Sequence, residues 1–427
     1  NTMSLILLLL SILENKKEIN ILKSIVPGFF AYLIVSYKIT SHDAVSAMLV
    51  LSFLTILYMT LSSITNEKIG ASILAIFSFA MRMGQLVIGN YRFGGVTLYD
   101  VLSIPTAINV MSSYKAKFGF VTYLMTFCTI SFILVYLIFI KNKKHEIKTK
   151  IKNICFSFIA CCLLIYLVGS YTQYVELKDY TICITPIESF LSSVVEEIKL
   201  TLKPIDTSAA KAKLDEFTDD KQVEFKPNII CVLNESYSDL NKLLNINTSR
   251  DPMKDFYNLK ADNCKIGTIR VDTFGGGTSK SEWEFLTGLD VEKFSDIQIP
   301  FLGKTTKNYS FTSNENIYSD YKKIFIHPYA KSGWNRVNVY NTFEYDDLYF
   351  YDVEMKKEAV FLDLFVSDKY LYDKTLRILK ESEMPQFVKI VTMQNHGGYV
   401  DRKLPDVIKI ENEIKNKKET EDFLTLM

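Results

Sequence analysis

The sequence predicts a bundle of membrane-crossing helices followed by an external α/β domain. Five apolar stretches in the first 171 residues are each long enough, at about 17–25 residues, to cross the hydrocarbon core of a bilayer. Residues 1–171 carry 15 Lys and Arg against 6 Asp and Glu, whereas residues 172–427 carry 34 against 42. The net charge of +1 therefore hides two unlike halves. This asymmetry excludes a single uniform soluble domain, and the composition indicates neither a disordered chain nor a nucleic-acid binder.

The predicted membrane domain covers residues 1–171. Its five full crossings are residues 19–37, 44–64, 69–89, 118–140 and 154–170, and residues 3–13 form a shorter, partial one. The loop 141–152 carries six Lys, which by the positive-inside rule places it in the cytoplasm. Alternation then puts the loop 90–117 and everything after residue 171 outside the cell. The loop 90–117 mixes aromatic, apolar and basic residues, which predicts a segment lying on the bilayer surface.

The external half begins with a predicted connector over residues 172–226. Residues 187–202 have the apolar spacing of a juxtamembrane helix, and residues 207–225 are charged and weakly patterned, as in a linker. From residue 227 to residue 427, short β-rich runs alternate with helical stretches, which is typical of α/β domains. The predicted strands are residues 228–233, 265–271, 323–326 and 387–392.

A carboxylate follows the first predicted strand of this domain. Glu235 comes two residues after the run NIICVL, and in open α/β sheets ligands bind beyond the carboxyl ends of the strands. Such a residue serves either as a cap or charge partner or as a metal ligand. Its position alone leaves both interpretations open.

The run VDTFGGGTSKSEWEFLTG, residues 271–288, places three glycines before a predicted helix that begins at Thr278. Glycine lets the backbone approach a bound group, and a helix N-terminus favours phosphate. A threonine hydroxyl is a poor nucleophile until a base or a metal activates it. The alternative is that Thr278 is only an N-cap, with Glu282 near the capping-box offset. Three successive glycines exceed what a cap needs, which favours a functional role.

Two further motifs place polar side chains after strands. HPYAKSGWNR, residues 327–336, contains His327, Trp334 and Arg336, and TMQNHGGY, residues 392–399, contains His396. The forked donors of arginine suit a phosphate group. Only four His occur in the chain, and the two external ones both fall in these motifs, which makes them candidates for a binding site.

These four motifs, in this order after a bundle of crossings, resemble the lipoteichoic acid synthase and phosphoglycerol transferase family. The catalytic domain of that family is similar to the sulfatase and alkaline-phosphatase superfamily. The likeness covers nearly the whole chain. NESYSDL, residues 234–240, and GGGTSKSEWEFLTG, residues 275–288, carry most of its specificity.

The resemblance implies roles for individual residues. Glu235 would be a metal ligand, and Thr278 both a metal ligand and the nucleophile. Four residues would line the glycerol-phosphate site: His327, Trp334, Arg336 and His396. The metal implied is manganese, Mn²⁺, sometimes replaced by magnesium, Mg²⁺, and oxygen-rich ligands suit both ions.

The sequence departs from the family pattern at two places. Tyr329 stands where the synthases proper have an acid two residues after the pocket histidine. The remaining metal ligands of the family come from a later Asp-His-Gly motif, and Asp401 and Asp406 follow TMQNHGGY too closely to replace it. The chain also opens on Asn1. We therefore expect truncation at both ends, and no activity from the chain in this form.

The function implied is transfer of glycerol phosphate from phosphatidylglycerol, or a similar lipid donor, to a hydroxyl of a glycolipid or glycopolymer such as lipoteichoic acid. The enzyme would be a multi-pass protein of the cell membrane, with its catalytic domain outside, in cell-wall biogenesis. Two alternatives stay open. One is a phosphoethanolamine-type transferase, and the other is a non-catalytic, lipid-binding membrane protein. The C/S-x-P-x-R context of a sulfatase nucleophile is absent from the sequence.

Overall fold

The computed structural model describes residues 20–37, 44–89, 95–110, 119–140, 147–178, 185–202, 208, 212, 225–259, 263–271, 277–290, 300–302, 310, 320–399 and 402–427. The chain forms two compact units. The first consists of Asn1–Val101 and Ala116–Leu202, and the second of Leu102–Lys115 and Lys203–Met427.

Helices make up the described part of the first unit. In chain order the helices are α1 (Asn20–Val35), α2 (Ala44–Ile64), α3 (Glu67–Ile88), α4 (Leu98–Leu102), α5 (Ile104–Val110), α6 (Phe120–Phe139), α7 (Ile147–Lys178) and α8 (Pro186–Leu202). Helix α5 and the last residue of α4 belong to the second unit. A helix predicted at residues 187–202 is present as α8, and its juxtamembrane position stays a prediction.

Among the described residues, four helices are long and apolar enough to cross a membrane. They are Ala44–Ile64, Glu67–Ile88, Phe120–Phe139 and Lys150–Gln173, and they confirm apolar helices at four of the five predicted crossings. Helix α1 has 16 described residues, slightly fewer than the roughly 17–25 that a crossing needs. Residues 1–19, including the partial crossing predicted at 3–13, lie outside the described residues. A count of five crossings stays a prediction.

Local sequence explains where these helices begin. The Asn66 side chain accepts a hydrogen bond from the N–H of Ile69 at 3.0 Å and caps α3. Before α8, the N–H of Thr185 donates to Glu188 Oε2 at 2.7 Å, and the N–H of Glu188 donates to Thr185 Oγ1 at 3.2 Å. This reciprocal pair is a capping box, which satisfies two donors that the first helical turn leaves unpaired.

The second unit is built on a four-stranded parallel sheet in the order β1-β6-β2-β3. Its strands are β1 (Ile229–Leu233), β2 (Lys322–His327), β3 (Asp347–Phe350) and β6 (Gln386–Val391), and β4 (Phe361–Leu362) pairs antiparallel with β5 (Phe365–Val366). The later helices are α9 (Leu240–Leu244), α10 (Lys254–Asn258), α11 (Thr278–Thr287), α12 (Arg336–Thr342), α13 (Asp368–Lys380) and α14 (Lys417–Leu426).

Both faces of the sheet are covered, because successive side chains of a strand point to opposite faces. Phe325 and Phe387 pack on one face with Trp283 of α11. Ile324 packs on the other face with Leu371 of α13. An apolar parallel sheet between helices is the expected α/β arrangement, so the predicted fold class of this half is confirmed.

The strand predictions were right for three runs and wrong for one. Residues 228–233, 323–326 and 387–392 correspond to β1, β2 and β6. Residues 265–271 form no strand, and Ile269 is 85% exposed. The β-branched residues in 265–271 favour a strand. A strand, however, is stabilised by pairing with a neighbour and by burial of one face. The prediction also missed β3, which has only four residues.

The strand ends set the position of the candidate site. Leu233 at the end of β1 is paired with Val391 at the end of β6, and His327 at the end of β2 is paired with Phe350 of β3. The residues that follow these ends therefore emerge along one edge of the sheet. Glu235 and Thr392 are two of them.

Candidate active site

Thr278 and Glu235 are in direct contact. The Thr278 hydroxyl donates to both carboxylate oxygens of Glu235, at 3.0 Å to Oε1 and 2.8 Å to Oε2. Glu235 is buried, and Thr278 is the first residue of α11. A hydroxyl, a carboxylate and a helix N-terminus thus lie together beyond the end of β1.

The Glu235 backbone is held by the neighbouring strand β6. Its N–H donates to Thr392 Oγ1 at 2.9 Å, and the N–H of Thr392 donates to the carbonyl of Leu233 at 3.1 Å. Ser236 has a φ of 52° and its hydroxyl donates to Glu235 Oε1 at 3.1 Å. A non-glycine residue in this left-handed region is uncommon and persists when its surroundings hold it. The turn therefore fixes the carboxylate toward Thr278.

The alternative in which Thr278 is an N-cap is wrong. The N-cap of α11 is Gly277, and Thr278 is inside the helix with its hydroxyl on Glu235. Glu282 closes no capping box either, because its carboxylate binds other side chains. Gly275 and Gly276 lie outside the described residues, so the interpretation of the glycine run stays a prediction.

A buried ion pair lies next to this contact. Arg336 donates through Nε to both oxygens of Glu282, at 3.2 and 3.1 Å, and through Nη2 to Oε2 at 2.8 Å. Tyr340 donates its hydroxyl to Glu282 Oε1 at 2.6 Å. Burial works to lower the pKa of Arg336, but the Glu282 carboxylate outweighs it, with a smaller contribution from Glu235, so the pKa is raised. Arg336 is a permanent cation at this edge of the sheet.

His327 is held between a carbonyl and Arg336. Its Nδ1 lies 3.0 Å from the carbonyl oxygen of Val391, and its Nε2 lies 3.2 Å from Arg336 Nη1. Since a carbonyl only accepts and a guanidinium only donates, Nδ1 carries the proton and Nε2 accepts. Burial, and then the Arg336 charge, hold the pKa of His327 well below its usual range. The imidazole is therefore neutral.

This lowered pKa predicts a pH dependence of stability. Below about pH 6.5 the unfolded chain protonates His327 whereas the folded protein does not, so stability falls as the pH decreases, by up to about 1.4 kcal/mol per pH unit. Thermal unfolding midpoints between pH 7.5 and 5 should therefore decline less in His327→Gln than in the parent protein. Equal slopes in both proteins would contradict the assignment.

Trp334 and Asn335 form a strained turn before α12. Both have left-handed backbones, with φ of 53° and 57°, which costs non-glycine residues on the order of 1–3 kcal/mol each. The N–H of Trp334 donates to Thr106 Oγ1 of α5 at 3.0 Å, and Asn335 Nδ2 donates to the carbonyl of Phe301 at 2.8 Å. These contacts hold the turn that directly precedes Arg336.

His396 is linked to His327 through aromatic rings. Its ring centroid lies 5.3 Å from that of Phe365, which is 6.0 Å from Tyr329, and Tyr329 is 6.4 Å from His327. Tyr329 therefore packs between His327 and Phe365. Burial raises the pKa of its hydroxyl, so it is a neutral group here.

The two residues expected to bind a metal offer hard oxygen donors, as magnesium and manganese prefer. The donor chemistry of Glu235 and Thr278 therefore fits such an ion. Within the described residues, no group of three His, Cys, Asp or Glu side chains could hold a metal ion. A role for Glu235 and Thr278 in holding a metal ion therefore stays a prediction.

The structure gathers the predicted site residues at one edge of the sheet. Glu235 contacts Thr278, His327 contacts Arg336, the turn at Trp334 precedes Arg336, and ring contacts lead to His396. Sequence reasoning missed the partners of Arg336, which are Glu282 and Tyr340. One signal was available for Glu282, since it lies four residues after Thr278 and hence on the same helix face.

The second half of the chain is similar to known proteins. Residues 227–422 match the family model described as Sulfatase. A relative from Rhizobium meliloti, named for cyclic beta-1,2-glucan modification, is 29% identical over 195 residues, which is 44% of this chain and 29% of that protein. The chain therefore spans less than a third of the length of this curated relative.

Two solved structures are similar to this chain. Phosphoglycerol transferase GacH from Streptococcus pyogenes, in complex with sn-glycerol-1-phosphate, has 22% identity and a TM-score of 0.43, over 51% of this chain and 59% of GacH. The integral membrane lipooligosaccharide phosphoethanolamine transferase A (EptA) from Neisseria meningitidis has 12% identity and a TM-score of 0.43, over 95% of this chain and 75% of EptA.

Proposed function

We propose, from the premise that residues 227–422 form a sulfatase-family domain, that this protein is a membrane-bound head-group transferase. It would move glycerol phosphate from phosphatidylglycerol to a hydroxyl of a glycolipid or glycopolymer such as lipoteichoic acid. The observation that carries this proposal is the hydrogen-bonded pair of Thr278 and Glu235 at the start of α11. The sequence resemblance gives these two residues the roles of nucleophile and ligand.

The first step would form a bond between Thr278 Oγ1 and the donor phosphorus and break the bond from phosphorus to the diacylglycerol oxygen. Thr278 already directs its hydroxyl proton at Glu235, so the carboxylate can accept this proton as the oxygen attacks. The departing diacylglycerol oxygen takes up one proton. The product is glycerophospho-threonine, and the number of protons is unchanged.

The second step would reverse the first with a different partner. The acceptor hydroxyl attacks the phosphorus, the bond to Thr278 Oγ1 breaks, and Oγ1 regains a proton while the acceptor oxygen loses one. One residue therefore serves both half-reactions, as expected for covalent catalysis.

Arg336 would hold the phosphate during both steps. It commits three of its five N–H groups to Glu282 and His327, so its plane is fixed before the substrate arrives. The neutral His327 adds no charge of its own, and buried donors act more strongly on developing negative charge than donors in water. His396 and Trp334 would line the glycerol side of the pocket.

Glu235 and Thr278 would also hold the metal ion, Mn²⁺ or Mg²⁺. When bound, such an ion neutralises developing charge and lowers the pKa of a coordinated hydroxyl. The chain's own contribution is to keep the hydroxyl and the carboxylate together, with Ser236 and Thr392 fixing the Glu235 side chain and backbone.

The membrane helices support a lipid as the donor of the transferred group. The described residues include four helices long and apolar enough to cross a membrane, which would keep the domain near its donor at the cell membrane. By the distribution of Lys and Arg, the sulfatase-family domain would lie outside the cell.

A donor panel tests this function. The full-length protein, reconstituted with Mn²⁺, should release diacylglycerol from phosphatidylglycerol at least about tenfold faster than from phosphatidylethanolamine, because polar groups of the site that pair with the glycerol hydroxyls would be left unpaired by ethanolamine. Labelled head groups followed by chromatography give the measurement, with phosphatidylcholine as the control. GacH and EptA are named for these two head groups, so both belong in the panel.

Two results would contradict the proposal in different ways. Transfer of ethanolamine phosphate without transfer of glycerol phosphate would make the protein a phosphoethanolamine transferase. Binding of these lipids without turnover of any of them would favour a non-catalytic role.

A further inference from the structure

Helix α5 and the residues before it carry polar side chains inward and apolar side chains outward. Ser103 and Thr106 are buried in the described structure. Leu102, Ile104 and Ile108 are 47%, 50% and 61% exposed. A helix on a soluble domain normally shows the reverse order, with its apolar side on the core. The exposed strip formed by Leu102, Ile104 and Ile108 therefore needs an apolar partner.

The sequence on both sides of α5 indicates which partner this is. Nine residues separate Ile88 of α3 from Leu98 of α4, and nine separate Val110 of α5 from Phe120 of α6. Both α3 and α6 are long and apolar enough to cross a membrane. Nine residues span at most about 30 Å, so the apolar strip is tied on both sides to membrane-crossing helices. A lipid surface is thus within reach.

The buried side of the same segment holds the strained turn of the candidate site. Thr106 Oγ1 accepts the N–H of Trp334 at 3.0 Å, and Trp334 and Asn335 are both left-handed. Such a turn persists only where its surroundings fix it. The segment that exposes the apolar strip is therefore also the segment that fixes the Trp334 turn.

From these observations we infer that residues 102–108 form a lipid-contacting surface that positions the Trp334 turn, so that the donor head group enters the site directly from the bilayer. The apolar strip lies in the acyl boundary of the outer leaflet, as the apolar face of an interfacial helix does. Thr106 is a positioning residue. The part of this inference that concerns entry of the donor head group rests on the proposed function, whereas the lipid contact and the positioning of the Trp334 turn do not.

Quenching of tryptophan fluorescence by brominated lipids tests the lipid contact, and this measurement requires no enzymatic activity. Ile108→Trp and Leu243→Trp proteins are reconstituted in vesicles of phosphatidylglycerol and phosphatidylcholine with bromine on the acyl chains. Leu243 of α9 is 69% exposed and apolar, so it is a matched control outside the strip. Since interfacial helices sit about 5–10 Å into the headgroup and acyl boundary, the added fluorescence at position 108 should be quenched about threefold more strongly than that at 243.

A second pair of variants tests the positioning role. Thr106→Ala removes the acceptor of the Trp334 N–H, and Thr106→Ser keeps it. The alanine variant should raise the KM for vesicle-borne donor about three- to tenfold, the equivalent of one lost neutral hydrogen bond, with kcat changed less. It should also shift the emission of Trp334, measured in a Trp283→Phe background, and the serine variant should restore both properties.

Each arm has a result that overturns it. Equal quenching at positions 108 and 243 would show that the strip does not contact lipid, and a protein partner or a second copy would then be its occupant. Equal emission and KM in the two Thr106 variants would remove the positioning role. Failure of the parent protein to turn over any donor would reject the proposed function, while quenching and Trp334 emission would still decide this inference.

Discussion

A Thr278→Val variant should lose donor-lipid turnover by a factor of about 10³ or more, because removal of a catalytic nucleophile leaves only binding and electrostatic effects. Valine has nearly the shape of threonine but no hydroxyl. It therefore removes the hydrogen bonds to Glu235 while retaining a similar volume at the start of α11. The measurement is release of labelled diacylglycerol from phosphatidylglycerol vesicles by the reconstituted protein.

Thr278→Ser is the matched control for this substitution. Serine keeps a hydroxyl within reach of Glu235, so turnover should stay within about tenfold of the parent protein. A covalent mechanism also predicts that the Thr278 peptide gains the mass of one glycerophosphoryl group when donor is present without acceptor. The valine variant should show no such adduct.

Two other outcomes would show which part of the proposed role of Thr278 is wrong. Undiminished turnover in Thr278→Val would reject Thr278 as the nucleophile and leave it as a structural partner of Glu235. Loss of turnover in valine and serine variants alike, with the parent unfolding temperature retained, would indicate that the shape around Thr278 matters more than its hydroxyl.

The pairing of Thr278 with Glu235 could be predicted from the sequence because both residues follow simple rules. Glu235 comes after an apolar strand, Thr278 begins a helix after glycines, and the family resemblance places them together. Parallel strands bring their carboxyl ends to one edge of the sheet. The site residues at this edge therefore follow from strand order and sequence motifs.

The partners of Arg336 could not be predicted in the same way. Glu282 lies 54 residues before Arg336, and its position in the sequence first suggested a capping box. Only the packing of α11 and α12 on the same face of the sheet brings the two charges together. A contact of this kind depends on tertiary structure, which local sequence patterns do not report.

The strand predicted at 265–271 and the grouping of α5 show the same limit. Residues 265–271 have the composition of a strand but form none in the described structure. Helix α5 lies between two apolar helices in sequence, yet it groups with the second unit through contacts such as Thr106 with Trp334. In both cases non-local pairing decides the outcome, and sequence propensity is only a weak guide to it.

The second large effect concerns the buried ion pair. Glu282→Leu should destabilise the protein by about 3–5 kcal/mol, because it leaves the buried Arg336 cation without its carboxylate. Thermal unfolding of the purified protein in detergent should show a midpoint lower by on the order of 10 °C. Tyr340 also loses its acceptor in this variant, which adds to the effect.

An exposed ion pair in the same unit is the control. Lys369 and Asp373 are 2.7 Å apart on the surface of α13, close to the 2.8 Å of Arg336 and Glu282. Asp373→Leu should change stability by no more than about 0.5 kcal/mol, since water screens the exposed pair and the two long side chains lose freedom when they pair. The contrast at nearly equal distance isolates the effect of burial.

The double variant Glu282→Leu with Arg336→Met separates stability from function. With both charges replaced by apolar groups, stability should recover toward the parent value, because the cost of the single variant is an unpaired buried charge and not the loss of a strongly stabilising pair. Turnover should stay low, since a methionine side chain offers the phosphate no hydrogen-bond donors. A double variant less stable than Glu282→Leu alone would show instead that the pair itself stabilises the fold. A stable double variant with full turnover would exclude Arg336 from the phosphate site.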